Sequence, residues 1–150
     1  MSNVNIDILR DMTKKQENEL RDLLCQLSKT ILFPSKEYLT SIISNNSSEI
    51  IVAIKNNKII GTLTIAIINV MSGKKARIED VVVDINFRKQ GIGKKLIQFA
   101  EKLCVKLNIK YIDLTSHPKR AAANKLYQHL GYIRGQTNVY RKNIIKEERK

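Results

Sequence analysis

Arg88-Lys89-Gln90-Gly91-Ile92-Gly93-Lys94 lies between an apolar strand, Ile78 to Val83, and an amphipathic helix. Strand, glycine-containing loop and helix in that order make an anion site. The N–H groups of a helix's first turn have no partners within the helix, and the helix dipole favours negative charge there. Glycine lets the backbone approach the anion with no Cβ in the way. Arg88, Lys89, Lys94 and Lys95 add positive charge. The expected ligand is a phosphate or pyrophosphate.

Two common phosphate motifs are excluded by the letters. A dinucleotide fingerprint needs a third small residue where Leu96 stands. A P-loop needs Gly-Lys-Ser/Thr, but Gly93-Lys94 is followed by Lys95. What remains is Arg-x-x-Gly-x-Gly directly after a hydrophobic strand. A second block lies about thirty residues downstream: Ala122-Ala123-Asn124-Lys125-Leu126-Tyr127-Gln128-His129-Leu130-Gly131-Tyr132. Asn124 and Tyr127, three apart, share a helix face. Gly131 suits the left-handed position just past a helix end.

Both blocks, in this order and spacing, resemble the GNAT superfamily of N-acetyltransferases, over roughly residues 4 to 142. The resemblance implies an α/β GNAT fold: a mixed central sheet flanked by helices, with splayed central strands. It implies acetyl-CoA as co-substrate and no metal. It places the cofactor on Val81, Val82, Val83, Arg88, Lys89, Gln90, Gly91, Ile92, Gly93, Lys94, Asn124 and Tyr127. The run Ile78-Glu79-Asp80-Val81-Val82-Val83 is similar to that of glucosamine-6-phosphate N-acetyltransferases. A Glu-Asp pair here also recurs in polyamine acetyltransferases. Asp113 to Arg120 and Thr137 to Arg141 are more similar to bacterial GNAT proteins of uncharacterised function.

Composition sets the bounds. At 150 residues and 43% hydrophobic, the chain is expected to form one domain, residues 1–150. No apolar run approaches the roughly 20 residues that span a bilayer. No basic-then-apolar leader opens the sequence, so the expected address is the cytoplasm. The net charge of +13 points to anionic partners. Its lysines and arginines are scattered, no zinc-finger, basic-zipper or RRM signature is present, and there is no Trp. Nucleic acid and membrane are therefore not the expected partners, and a basic coenzyme A groove accounts for part of the charge. Cys25 and Cys104 read as small buried hydrophobes on helix faces. Neither has metal-ligand spacing to the other, to His117 or to His129.

Along the chain, Val4 to Ile8 alternates as a strand. Thr13-Lys14-Lys15-Gln16 matches a capping box, followed by an apolar stripe of Leu20, Leu23, Leu24 and Leu27. Ser35 to Ile43 reads as a short helix. Glu49 to Lys55 and Lys58 to Val70 read as a hairpin across Asn56-Asn57. Arg77 to Asp84 is the central strand, Gly91 to Asn108 a helix and Tyr111 to Thr115 a strand. Pro118 suits the first turn of the next helix. Val139-Tyr140 reads as a final strand, and Lys146 to Lys150 as a frayed basic tail.

The resemblance also implies the chemistry: transfer of an acetyl group to a primary amine of a small molecule or peptide, by direct attack on the thioester. The pantetheine arm would lie along Val81 to Val83 like an added strand. Val82 would supply the backbone oxyanion donor. Tyr127, protonated at neutral pH, would be the general acid. Glu79 would be the base; the alternative for Glu79 is a salt bridge to Arg77 or a lysine. Strand alternation puts Glu79 and Asp80 on opposite faces. Asn124 would bond the pantetheine or order the loop above it. Tyr38, Arg134 and Tyr140 are candidates for the acceptor pocket. A second reading keeps the fold but not the catalysis: a non-catalytic acyl-CoA-binding or regulatory module, needing Gly91 and Gly93 but neither Tyr127 nor Glu79. Homodimers are common in the superfamily.

Overall fold

Asn56 and Asn57 both carry positive φ, 49° and 60°. A two-residue turn of this kind matches the right-handed twist of its flanking strands. It joins β2 (Ser48–Lys55) to β3 (Lys58–Val70). The computed structural model describes residues 3–145; the expected frayed tail, Lys146 to Lys150, lies outside them. The described chain falls into two compact units, one up to Thr115 and one from Ser116 onward.

The first unit is a five-stranded sheet in the order β1-β2-β3-β4-β5. Strands β1 (Asn5–Ile8), β2, β3 and β4 (Gly73–Val83) are antiparallel neighbours. Strand β5 (Ile112–Leu114) runs parallel to β4. That last ladder is short, Ala76↔Ile112 to Ile78↔Leu114. Beyond Ile78, β4 has no strand on its outer edge among the described residues. This is the expected parting of the central strands.

Helix α1 (Lys14–Leu27) begins at the expected capping box: Thr13 accepts from the Gln16 N–H, and Gln16 returns the bond to the Thr13 N–H. It packs with α2 (Lys36–Ile43) on one face of the sheet. Leu20, Leu23 and Leu39 meet Ile50, Val52, Ile59 and Val82 there. Helix α3 (Ile92–Lys106) covers the other face. Gly61 lets α3 approach, because a Cβ there would lie 3.3 Å from Leu96 Cδ1 and 3.3 Å from the Val82 carbonyl. Three polar ties fix α1 against the sheet. Lys15 Nζ donates to the Asn57 carbonyl at 2.6 Å. Ile59 N–H donates to Glu19 at 3.0 Å, and Ile85 N–H to Gln26 at 2.9 Å. The buried Glu17 is paired with Lys14 and Arg21.

Strand β4 is not regular. Thr62 pairs with Val82 but Thr64 pairs with Glu79, so Leu63 faces two residues, Asp80 and Val81. Asp80 takes a left-handed backbone, φ 54°, and forms a β-bulge. The extra residue cancels the alternation expected from the sequence. Glu79 and Val82, three apart, now share the α1–α2 face with Thr64 and Thr62. Burial and the neighbouring Glu79 charge raise the Asp80 carboxyl above its ordinary value near 3.8.

The second unit contains α4 (Ala121–His129). It ends as the sequence requires: Gly131 has φ 91°, and the Gly131 and Tyr132 N–H groups donate back to Gln128 and Tyr127.

Three expectations are corrected. Cys25 is exposed, being one helical step past Leu24 and so turned off the apolar stripe, whereas Cys104 is buried and its thiol is pushed up to about 11. Pro118 precedes α4 rather than opening it, because the helix is capped at Arg120. Val139-Tyr140 is not a strand in the described residues. Strand propensity expresses itself only where a ladder partner lies alongside.

Gly61→Val should lower unfolding free energy by about 1–3 kcal/mol, read by chemical denaturation, since its extra atoms meet a backbone oxygen. Asp80→Asn should do the opposite. Folded Asp80 holds its proton more tightly than the unfolded chain, so stability is lost as pH rises from about 3.8 through the raised folded value. Asparagine tolerates the left-handed backbone. The substitution should raise Tm at neutral pH, with the gain vanishing below that window; an unchanged difference across the pH range would contradict it.

Candidate functional site

The turn from β4 into α3 is the centre of the site in the first unit. Buried Asp84 accepts from the Asn86 N–H at 2.9 Å and lies 3.7 Å from Lys58 Nζ, fixing the short 3-10 turn Ile85–Phe87. Lys89 then takes a left-handed backbone, φ 60°, and Gly91 another, φ 75°. Gly91 is the N-cap of α3 and provides no side-chain cap. No atom outside its own chain neighbours lies within 4 Å of where a Cβ would sit. The first turn of α3 thus opens onto space with its backbone donors forward. Arg88, Lys89, Gln90, Lys94 and Lys95 are exposed around it, while Ile92 is buried as the anchor. This is the turn at which the sequence leads one to expect an anion.

The open edge of β4 leads straight into that turn. Asp84 N–H donates to the Ile60 carbonyl at 2.9 Å, and Val82 is in phase with Asp84 in the same ladder. Backbone groups of an antiparallel strand alternate in direction. The Val82 N–H therefore turns inward to β3, and the groups of Val83 face the outer edge. The expected oxyanion donor, the backbone N–H of Val82, lies one residue from that edge-facing position, and the Val82 side chain is buried. Arg88 Nε donates to the edge-facing Val83 carbonyl at 3.0 Å, tying the loop's arginine to the strand end.

A cavity of about 300 Å³ lies on the α1–α2 face. Its floor is Ile50, Thr62 and Thr64, with Glu79 and Asp80 at the bulge. Leu20 and Leu24 line it from α1, and Tyr38, Leu39 and Ile42 from α2. Ile31 and Pro34 close one side; Arg21 holds their loop by stacking 4.2 Å over Phe33. Both carboxylates reach the same cavity because the bulge defeats alternation. Glu79 is hydrogen-bonded to Arg77, the alternative considered from the sequence. Arg77 Nη2 also lies 3.5 Å from Thr115 Oγ1. Asp80 has neither contact. It is the group that sequence reading passed over, and its signal was an Asp at a strand position where a left-handed backbone is tolerated.

In the second unit, Asn124 Nδ2 donates to the His117 carbonyl at 3.0 Å, so its amide orders the loop before α4. His117 Nδ1 accepts from the Lys119 N–H at 3.1 Å, within the loop before α4. Tyr127 is buried with its ring 6.0 Å from that of Tyr132, edge to face. Burial raises its phenol above the ordinary value, with Arg120 opposing the shift. Of the acceptor candidates, Tyr38 lines the cavity, whereas Arg134 and Tyr140 are exposed in the second unit. Among the described residues, no group of three or more His, Cys, Asp or Glu is placed to hold a metal, and no helix is long and apolar enough to cross a membrane.

Solved structures share this architecture. An aminoglycoside acetyltransferase, meta-AAC0020, from an uncultured soil metagenomic sample was solved with sisomicin. It is 24% identical, with 95% of this chain and 97% of that one covered and a TM-score of 0.80. The aminoglycoside N-acetyltransferase AAC(6')-Iy, solved with CoA, is 19% identical over 97% of both chains, TM-score 0.78. A GNAT family acetyltransferase of Staphylococcus aureus is 24% identical, covering 95% of this chain and 100% of that one, TM-score 0.73. At these identities the likeness is one of fold. No curated protein sequence matches the chain. The sequence model described as acetyltransferase (GNAT) family matches residues 16–132, which takes in the β4–α3 turn and the helix that ends at Gly131. The chain belongs to the acetyltransferase (GNAT) family.

Proposed function

We propose that the protein transfers an acetyl group from acetyl-CoA to a primary amine of a small molecule. One observation carries this reading. The open edge of β4 runs directly into the side-chain-free N-cap of α3. An extended amide-bearing arm fits such an edge, and a pyrophosphate fits such a helix end. Acetyl-CoA, which joins the two, supplies the activated acetyl thioester when bound.

The residues divide the remaining work. The α3 first turn, from Gly91 through Ile92 and Gly93 to Lys94, holds the pyrophosphate, and Arg88, Lys89 and Gln90 border it. A backbone N–H of the Val82–Val83 segment donates to the oxygen that gains charge as the amine attacks. The amine enters from the α1–α2 cavity, where two carboxylates await its proton. Asp80, whose carboxyl holds a proton to higher pH than usual, is the better acceptor of the two. Glu79, tied to Arg77, aligns the ammonium before deprotonation. The resemblance assigns Tyr127 as the acid for the departing thiolate. Its raised pKa keeps the phenol protonated and so able to donate at neutral pH. Asn124 acts on the loop backbone, not on substrate.

Two substitutions test these assignments. Tyr127→Phe should lower turnover tenfold or more, measured as thiol release from acetyl-CoA, and leave coenzyme A affinity nearly unchanged. Equal loss of rate and binding would make Tyr127 a packing residue. Gly91→Val should weaken acetyl-CoA binding at least tenfold in a calorimetric titration, because a β-branched side chain resists positive φ and stands over the anion site. Unchanged affinity would remove the anion-loop argument.

A further inference from the structure

The α1–α2 cavity has an unusual charge balance for a pocket that takes amines. Of its lining residues, only Glu79 and Asp80 are charged. Arg77 already pairs with Glu79, which leaves roughly one negative charge unspent. The walls above are aliphatic or aromatic, from Leu24, Ile31, Pro34, Tyr38 and Ile42. Its neutral polar groups are the hydroxyls of Tyr38, Ser48, Thr62 and Thr64, and Thr62 Oγ1 already donates to the Ile51 carbonyl at 2.9 Å. At about 300 Å³ the cavity is at the small end of ligand pockets.

We infer that the acceptor is a small primary monoamine with an apolar body, an alkylamine or arylalkylamine. Its ammonium sits at Glu79 and Asp80, and its hydrocarbon part lies between α1, α2 and the loop that carries Ile31 and Pro34. The inference deepens the acetyltransferase reading and rests on it. It separates this protein from neighbours of the same fold solved with aminoglycosides. A polyamine or aminoglycoside would place further ammonium and hydroxyl groups against Leu24, Ile31 and Ile42. Held against those half-exposed apolar walls, such groups lose part of their hydration and gain no partner there. The chain's net charge of +13 opposes a polycation at longer range as well. The single ammonium of a monoamine meets one unspent carboxylate, and each methylene behind it gains by leaving water.

The test is a chain-length series, propylamine to octylamine with phenethylamine, set against spermidine and sisomicin. Each amine is measured twice on the full chain: affinity by calorimetry with coenzyme A present, and thiol release with acetyl-CoA. Affinity should rise about two- to fourfold per methylene until the cavity is filled. Spermidine and sisomicin should bind at least tenfold more weakly than hexylamine. Ile31→Glu, on an exposed loop, should lower hexylamine affinity tenfold or more and raise that for spermidine. Tyr38→Glu on the exposed rim of α2 should move the ratio in the same direction. A flat series, tighter binding of a polycation, or an unchanged ratio in both variants would overturn the inference. Thiol release in those same assays would still leave the acetyltransferase reading intact. Length-dependent binding with no thiol release from any amine would uphold the pocket's preference and overturn the acetyltransferase reading beneath it.

Discussion

Strand β4 carries one residue more than the strand it pairs with, and the site depends on that mismatch. Leu63 faces both Asp80 and Val81, and the chain absorbs the surplus by turning Asp80 left-handed. Three consequences follow. Glu79 and Asp80 reach one cavity instead of opposite faces. The ladder after the bulge is rephased, so Val82 points its N–H into the sheet while Val83 addresses the outer edge. The β5 ladder stops at Ile78, just before the bulge, so among the described residues that edge is left without a strand. A bulge increases local twist, and a strongly twisted strand parts from a parallel neighbour more readily.

The supporting elements hold this irregular strand in place. Helix α1 is tied at one end to the β2–β3 turn and at the other to the loop after β4. Helix α3 presses on Gly61, next to Val82 across the sheet, and begins where the anion site is needed. The raised pKa of Asp80 marks a stability cost at a place where a proton acceptor is useful. The pattern is that of a functional site kept slightly unfavourable by a rigid surround.

Charge is divided by location. Basic residues gather about the α3 turn, suited to a phosphate-bearing co-substrate. The opposite sheet face carries apolar walls and two carboxylates. The proposed transfer uses this separation, with the anionic co-substrate at the turn and the amine at the carboxylates.

Much of this was legible in the letters, because local rules govern it. The capping box at Thr13, the Asn56-Asn57 turn and the helix stop at Gly131 each depend on a few neighbouring residues, and each was found where expected. The two blocks that mark the family are local patterns as well. The features that needed the tertiary structure are non-local. Alternation along β4 predicts opposite faces for Glu79 and Asp80, and only the register against β3 shows the bulge that unites them. The direction of the Val82 N–H is likewise a property of the ladder. Val139-Tyr140 has strand character but no ladder, and Cys25 is outside a stripe whose edges only packing defines. The sequence by itself determined the family, the order of elements and the glycine turn into α3, because dihedral preferences and helix ends are set within a few residues. The tertiary structure decided which carboxylates share a cavity and which backbone groups face the open edge, because a one-residue surplus between paired strands is invisible within either strand alone.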